Sequence, residues 1–418
     1  MPDHPMQTEL TFMNKFNNII FLMQGLFHIN LKLLRNIKVS FRLILFLWGL
    51  SLSGGIFFAA NSEADAKEFI RVLILQGVSQ CRIQGQEWAL QDLKTGQTFF
   101  QSKKGSLTIL CEPDFHLRLQ GYPISAPAFL ITSQRGALVL NGRRYRDKLK
   151  ILPGPNRELW VINELALEEY LVGLVTCEVP SCWPMEALKA QAVVARTYAL
   201  FQKKERQGEI YDVDSSVNDQ VYEGTGREDA RSRQAVRETE GEIIVYQGNP
   251  IFALYHSTCG GRTESAENFL DTHFPYLKSA YCNFCSDSPH FFWNYQIATG
   301  NLGKVLENAG FGGGWVSGIE IGERSDSHRV LQLAIQGENG RLEISGKDFR
   351  RLLGYDLLRS TNFLFKENDG MYLFSGQGWG HGLGLCQWGA KGLADKGMSY
   401  RSILKYYYQK VELKRIFQ

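Results

Sequence analysis

Two groups of side chains in this sequence have the types and spacing for chemistry. The first is His256-x2-Cys259, followed 23 positions later by Cys282-x2-Cys285. Two short chelating pairs on separate turns are the usual way to offer zinc four ligands in a tetrahedron, so the spacing predicts a zinc site. His290 is an alternative to His256 as fourth ligand, and His273 lies between the pairs. The readings without a metal are a Cys282–Cys285 disulfide, or unlinked buried thiols beside a core histidine. A zinc hydrolase of the H-x-E, P-C-x-x-C type needs a Glu where this chain has Ser257, so a closed or substrate-shaping metal is the better match.

The second group centres on Glu178. Leu167, Leu171, Leu174 and Glu178 fall at spacings of four, three and four, one stripe of a helix that Pro180 must end. A Glu at a helix end, one turn beyond an apolar face and beside Trp183, has surroundings that penalise its charged form. Such a group keeps its proton near neutral pH and can protonate a poor leaving group such as a glycosidic oxygen. By spacing alone, a Glu near a helix terminus is more often solvated or capping.

The elements that must position these groups change character along the chain. From Phe69 to about Leu152, runs such as FIRVLIL, GSLTILCE and ALVLNGRRYRDKLKIL are punctuated by Gly, Asn and Asp, which predicts a mainly β lobe. A helix over the Leu167 stripe follows, then a second one starting at Pro184, with a narrow seam of Met185, Leu188, Ala192, Ala195 and Ala199. Strand-like pieces (GEIIVYQG, PIFALYHST) come next, and SGQGWGHGLGLCQWGAKGLA places seven glycines in twenty residues before a last helical segment, SYRSILKYYY. The fold class expected is α+β and two-lobed, a mainly β N-terminal lobe before a mixed α/β region, with a cleft. The boundaries expected are 1–62, 63–155 and 156–418.

Composition narrows the function classes. The 418 residues are 44% hydrophobic, and 46 basic against 43 acidic side chains leave a formal charge of +3, too balanced to imply nucleic acid. Lys32, Arg35, Lys38 and Arg42 precede the uncharged stretch Leu43–Ala60 and the polar run Asn61-Ser62-Glu63. That order reads as an export signal or a single uncleaved membrane anchor, with Met6, Met13 and Met23 as later starts. The body of the protein is therefore expected outside the cytoplasm, exported to a periplasmic or other extracytoplasmic space. In an oxidising compartment, pairs such as Cys81 with Cys111 could form disulfides, although a chain of this size does not need them.

Several longer motifs occur together. Glu169-Tyr170-Leu171-Val172-Gly173, Cys177-Glu178-Val179-Pro180, Trp183-Pro184-Met185-Glu186-Ala187-Leu188-Lys189-Ala190-Gln191-Ala192 and Ala195-Arg196-Thr197-Tyr198-Ala199 resemble the signature of the stage II sporulation protein D (SpoIID/LytB) family. The similarity continues in register through Asp219-Gln220-Val221-Tyr222-Glu223-Gly224, Tyr255-His256-Ser257-Thr258-Cys259-Gly260-Gly261 and Gly378-Trp379-Gly380-His381-Gly382-Leu383-Gly384. The resemblance implies a peptidoglycan lytic transglycosylase with Glu178 as its single acid/base. It implies glycan strands as substrate, and some members of the family bind zinc in the neighbourhood of His256 and Cys259. An enzyme of this kind releases 1,6-anhydro-muramoyl ends without a second carboxylate, although Asp212, Asp214 and Asp219 could fold close to Glu178.

Gln220, Tyr222, Thr258, His381 and Gln387 are the candidates for binding sugar, because glycines let backbone approach a ligand while amide and imidazole groups satisfy hydroxyls. Trp183, Trp379 and Trp388 are candidates for stacking on sugar faces. The family also contains a modifier of an N-acetylmuramoyl-L-alanine amidase, so a non-catalytic wall-binding partner of an amidase is the competing expectation. A zinc amidase is a third reading. Membrane contact is expected only through the N-terminal segment.

Overall fold

Alternation of apolar and polar residues builds the first half of the chain into strands: β1 (Phe69–Val78), β2 (Gln80–Asp92), β3 (Thr98–Cys111), β4 (Leu117–Leu119), β5 (Ser125–Ala126), β6 (Phe129–Leu140), β7 (Arg143–Tyr145), β8 (Lys148–Pro153) and β9 (Leu159–Ala166). The computed structural model describes residues 67–416 apart from 271, 312, 313 and 339. The expected export signal or anchor in 1–62 lies outside the described residues. Among these no helix is long and apolar enough to cross a membrane.

In β2 the inward set is Cys81 and Ile83, then Trp88 and Leu90. The switch from odd to even positions coincides with an irregular register, where Gln84 and Gln86 face Val139 and Arg135 of β6. Cys81 and Cys111 lie on neighbouring strands and both carry free thiols, so the disulfide considered for them is absent.

β9 runs directly into α1 (Leu167–Glu178), and a loop ending in Pro184 leads to α2 (Met185–Glu205). β10 (Val213–Asp214) then returns to pair in parallel with β1, so the ten-stranded sheet has the order β10-β1-β9-β8-β6-β2-β3-β4-β5, with β7 beside β6. The sheet thus passes through the boundary expected near residue 155. One apolar core joins its inner face (Ile70, Phe129, Ile151, Leu165) to the stripe of α1 and the seam of α2.

α3 (Ala230–Glu238), held at its start by a capping box between Asp229 and Ser232, is followed by β11 (Glu242–Tyr246), β12 (Asn249–Pro250) and β13 (Tyr255–His256). The chain then builds a second body from β14 (Phe292–Ala298), α4 (Thr299–Asn308), β15 (Val316–Arg324), β16 (Val330–Gly337), β17 (Gly340–Ser345), α5 (Gly346–Leu353), β18 (Phe363–Asn368) and β19 (Met371–Gln377). This body has its own core, including Trp293, Leu333, Phe349 and Phe374. β20 (Leu385–Cys386), α6 (Gln387–Asp395), α7 (Tyr400–Tyr407) and β21 (Glu412–Arg415) return to the first core. The fold is mixed α/β and mostly strands, and its separate core is the inserted body rather than the N-terminal sheet.

Two features bring distant segments together. α2 is packed by α1, α3, α6 and α7, which its seam of alanines permits. β13 pairs in parallel with β20, setting Tyr255 opposite Leu385 and His256 opposite Cys386. Gly384 (φ +66°) is needed for this approach, because a Cβ there would stand 2.0 Å from the carbonyl oxygen of Leu254.

Candidate active site and metal centre

Glu178 is the last residue of α1; the chain turns extended at Val179 ahead of Pro180. The residue keeps part of its surface exposed, yet its carboxyl group is closely surrounded by protein. Its partners are neutral donors. The Val221 N–H donates to Oε1 at 3.0 Å, the Gln387 amide donates to Oε2 at 3.4 Å, and the Tyr255 hydroxyl donates as well. Burial pushes the carboxyl pKa above the ordinary Glu range, and the three donors offset only part of that rise.

Among the described residues Glu178 forms no ion pair. The aspartates that sequence left open as a second carboxylate are engaged elsewhere: Asp212 with Arg71, Asp219 with Arg206, and Asp214 with the Ser216 N–H. Asp219 also accepts from Tyr198, Gln202 and the Asp214 N–H, which pins the loop that presents Val221 to Glu178.

The expected sugar-binding side chains stand mostly behind the acid. Gln220 is 0% exposed and spends its amide on Tyr170, Tyr255 and the Ala195 carbonyl, so it supports the donor Tyr255 rather than reaching a sugar. Tyr222 is buried between Tyr145 and Tyr170. Thr258 is buried against Ser288. Both ring nitrogens of His381 are committed, one donating to the Tyr255 carbonyl and the other accepting from the Leu383 N–H. Thr258 and His381 are enclosed where the Gly-rich segment lies against β13 and the residues after it, while Gln220 and Tyr222 pack against α1 through Tyr170; polar groups shut in at either place must pair there. Gln387 does reach Glu178 and also Gln191. Trp183 and Trp388 meet edge to face beside the end of α1, and Arg359 lies over Trp379.

Four sulfurs form the second centre: Cys259, Cys282, Cys285 and Cys386 are all buried, with sulfurs within 4.8 Å of one another. His256 is not among them. Its Nδ1 is bonded to the Leu383 carbonyl at 3.0 Å, which turns the ring away while Nε2 stays buried without a partner. His290 contacts Arg359 and Trp379, and exposed His273 contacts Glu267, so neither replaces it. The fourth position falls to Cys386, carried in by the β13–β20 ladder.

Zinc bound to four thiolates at about 2.3 Å sets its sulfurs about 3.8 Å apart, and the observed cluster, with Cys259 and Cys285 at 3.5 Å, matches that scale. A disulfide at about 2.05 Å does not. Hydrogen bonding among the thiols pulls Cys282 and Cys285 down in pKa and pushes Cys259 up, while burial first of all pushes Cys386 up. Sequence missed Cys386 because it stands far from the paired cysteines. It missed Tyr255 because a Tyr in an apolar strand segment carries no chemical signature.

A family model described as "Stage II sporulation protein" matches residues 155–246, and a model of a domain of unknown function matches 268–384. An uncharacterized protein of Brachyspira hyodysenteriae is 35% identical over 285 residues, which is 68% of this chain and 76% of that protein. The stage II sporulation protein D of Bacillus amyloliquefaciens is 33% identical over 269 residues, covering 60% of this chain and 75% of its own length. The amidase enhancer of Bacillus subtilis (strain 168) is 27% identical over 286 residues, covering 57% and 39%. With a third of its positions shared across three quarters of that Bacillus protein, and with its motifs gathered around Glu178, the chain belongs to the stage II sporulation protein D family.

Proposed function

We propose that this protein is a peptidoglycan lytic transglycosylase, acting outside the cytoplasm on glycan strands in division or sporulation. The observation that carries the reading is Glu178: an enclosed carboxyl group with neutral donors only, its pKa raised by burial. In its protonated form Glu178 gives its proton to the glycosidic oxygen as the bond from C1 of N-acetylmuramic acid breaks. The carboxylate then takes the proton of the sugar's own 6-hydroxyl while that oxygen bonds to C1. The ring closes as a 1,6-anhydro sugar, no water is consumed, and a second carboxylate of the kind hydrolytic glycosidases use has no task.

Cys259, Cys282, Cys285 and Cys386 would hold zinc in a closed site. Bound there, the ion would tie together three chain segments, those of Cys259, of the Cys282–Cys285 turn and of Cys386. Cys386 is followed directly by Gln387, so the site's role is to hold that amide against Glu178.

The test is digestion of purified wall material with the protein and with Glu178→Gln, followed by mass spectrometry. Anhydro-muramoyl ends that vanish in the variant support the reading, and undiminished release overturns it. The likeness to an amidase enhancer favours one alternative, a wall-binding modifier of an amidase, with Glu178 serving binding. That alternative expects wall binding without products, and faster stem-peptide release when an amidase is added.

A further inference from the structure

Two fully or nearly buried guanidinium groups near the Gly-rich segment have no carboxylate partner among the described residues. Arg329 is 1% exposed; its Nη atoms donate to the carbonyls of Gly380 and Cys259, and its Nε has no partner. Arg350 is 7% exposed and donates from Nε to Leu358 and from Nη2 to Tyr355, both backbone oxygens. Burial first, and then the like charge of Arg329, disfavour the charged form of Arg350, while Tyr355 and Asp356 favour it. The carboxylate of Glu264, which favours Arg329, is spent on Asn268, Ser325, Ser327 and a backbone N–H. Glu264 and the Cys259 and Cys386 sulfurs offset the charge of Arg329, so Arg350, which donates only to backbone oxygens, is the guanidinium left without an ion pair, and burying such a charge costs several kcal/mol.

Both arginines wall cavities. One, of about 310 Å³, is lined by Arg329, and a second, of about 260 Å³, by Arg350 with Arg351 and Lys347. Phe269, Lys347 and Thr361 line both, so the two are lobes of one groove, divided where Lys347 lies over the Phe269 ring. The first lobe sets the carboxylates of Glu264, Glu267 and Glu323 against Arg329 and Lys347, whereas the second sets a single one, Asp348, held by Ser345 and Arg351, against Arg350, Arg351 and Lys347. Neither lobe is lined by Glu178, but His381 walls the second and donates to the carbonyl of Tyr255, the residue whose hydroxyl meets Glu178.

We propose that the second lobe of this groove binds a carboxylate of the wall polymer and so anchors the strand on which the candidate acid acts. The inference rests on the reading of peptidoglycan as substrate. Muramic acid offers that chemistry in two ways: the lactyl carboxylate where the stem peptide is absent, or the carboxylates of a stem peptide. Arg350 and Lys347 supply the counter-charge, with Arg351 shared between Asp348 and the ligand, and a bound carboxylate compensates the Arg350 guanidinium, which has no ion pair.

The experiment is calorimetric titration of the full chain with three probes: the GlcNAc-MurNAc disaccharide, its methyl ester, and the disaccharide carrying a pentapeptide. Free carboxylate should bind at least about tenfold more tightly than ester, which is about 1.4 kcal/mol. The double variant Lys347→Gln/Arg351→Gln changes two exposed side chains and should keep the fold; in it the free acid should fall to the affinity of the ester while the ester is unchanged. Preference for the bare acid assigns the lactyl group, and tight binding of the peptide-bearing probe alone assigns the stem; both support the groove. Equal binding of acid and ester without tighter binding of the peptide-bearing probe, loss in the variant that does not depend on a carboxylate, or no binding of any probe overturns it. Selective binding without anhydro products would reject the transglycosylase reading and leave the groove standing.

Discussion

A carboxylic acid with three neutral donors around it is pulled two ways, since burial favours the protonated form and each donor favours the carboxylate. For Glu178 burial prevails, so the native state holds this proton more tightly than the unfolded chain does. Stability from that group is then full below the ordinary Glu range and is lost as pH rises through the raised native value. Glu178→Gln has no charge to bury, so it should melt above the native protein near pH 8 and level with it near pH 4 in thermal scans. Its cleavage activity should fall by about 10²–10⁴-fold, the usual contribution of a positioned acid/base. Tyr255→Phe removes a donor to the charged form, so the alkaline limb of the pH–rate profile should move upward while KM changes little. A limb that stays in place would mean that Tyr255 does not act on Glu178.

At the scale of elements, local periodicity carried much of the information. The Leu167, Leu171, Leu174 stripe and Pro180 located the end of α1, and the Met185–Ala199 seam located the buried face of α2. Three of the four clustered sulfurs were legible as a chelating pattern, because the pair Cys282 and Cys285 lies on one turn. The fourth was not, since Cys386 arrives through the parallel β13–β20 pairing, a contact between segments separated by the whole inserted body. The same pairing hid the commitments of Thr258 and His381, whose polar groups are spent on Ser288 and on the Tyr255 carbonyl and Leu383 N–H. Cys386 also caps α6, its sulfur accepting from the Gly389 N–H at 3.3 Å, so a bound metal would fix the start of that helix. Metal analysis should therefore find one zinc per chain in the native protein and in His256→Gln, and little in Cys386→Ser. Closed zinc sites contribute on the order of 10 kcal/mol to folding, so chelation should lower the melting temperature steeply. Full zinc in Cys386→Ser with loss in His256→Gln would restore the histidine as ligand.

At the scale of the whole molecule, the described chain has two apolar cores, and the smaller belongs to the body inserted between Cys285 and Cys386. Its entry and exit strands pair with each other, Phe292 opposite Gln377, so the insertion begins and ends at one place. An element closed at its root can lose its own packing without pulling apart the sheet and helices that hold Glu178. Phe374, 1% exposed and in contact with Phe349, Phe363 and Phe365, is the centre of that smaller core. Phe374→Ala should cost about 3–5 kcal/mol there. Hydrogen exchange should then quicken across residues 292–377 while α1, α2 and the zinc content stay as in the native protein. Because Arg329, Lys347 and Arg350 stand on the loosened body, discrimination between acid and ester should weaken in the same variant. If metal is lost in step with exchange, the two cores unfold as one unit, and the groove cannot be altered apart from the site that holds Glu178.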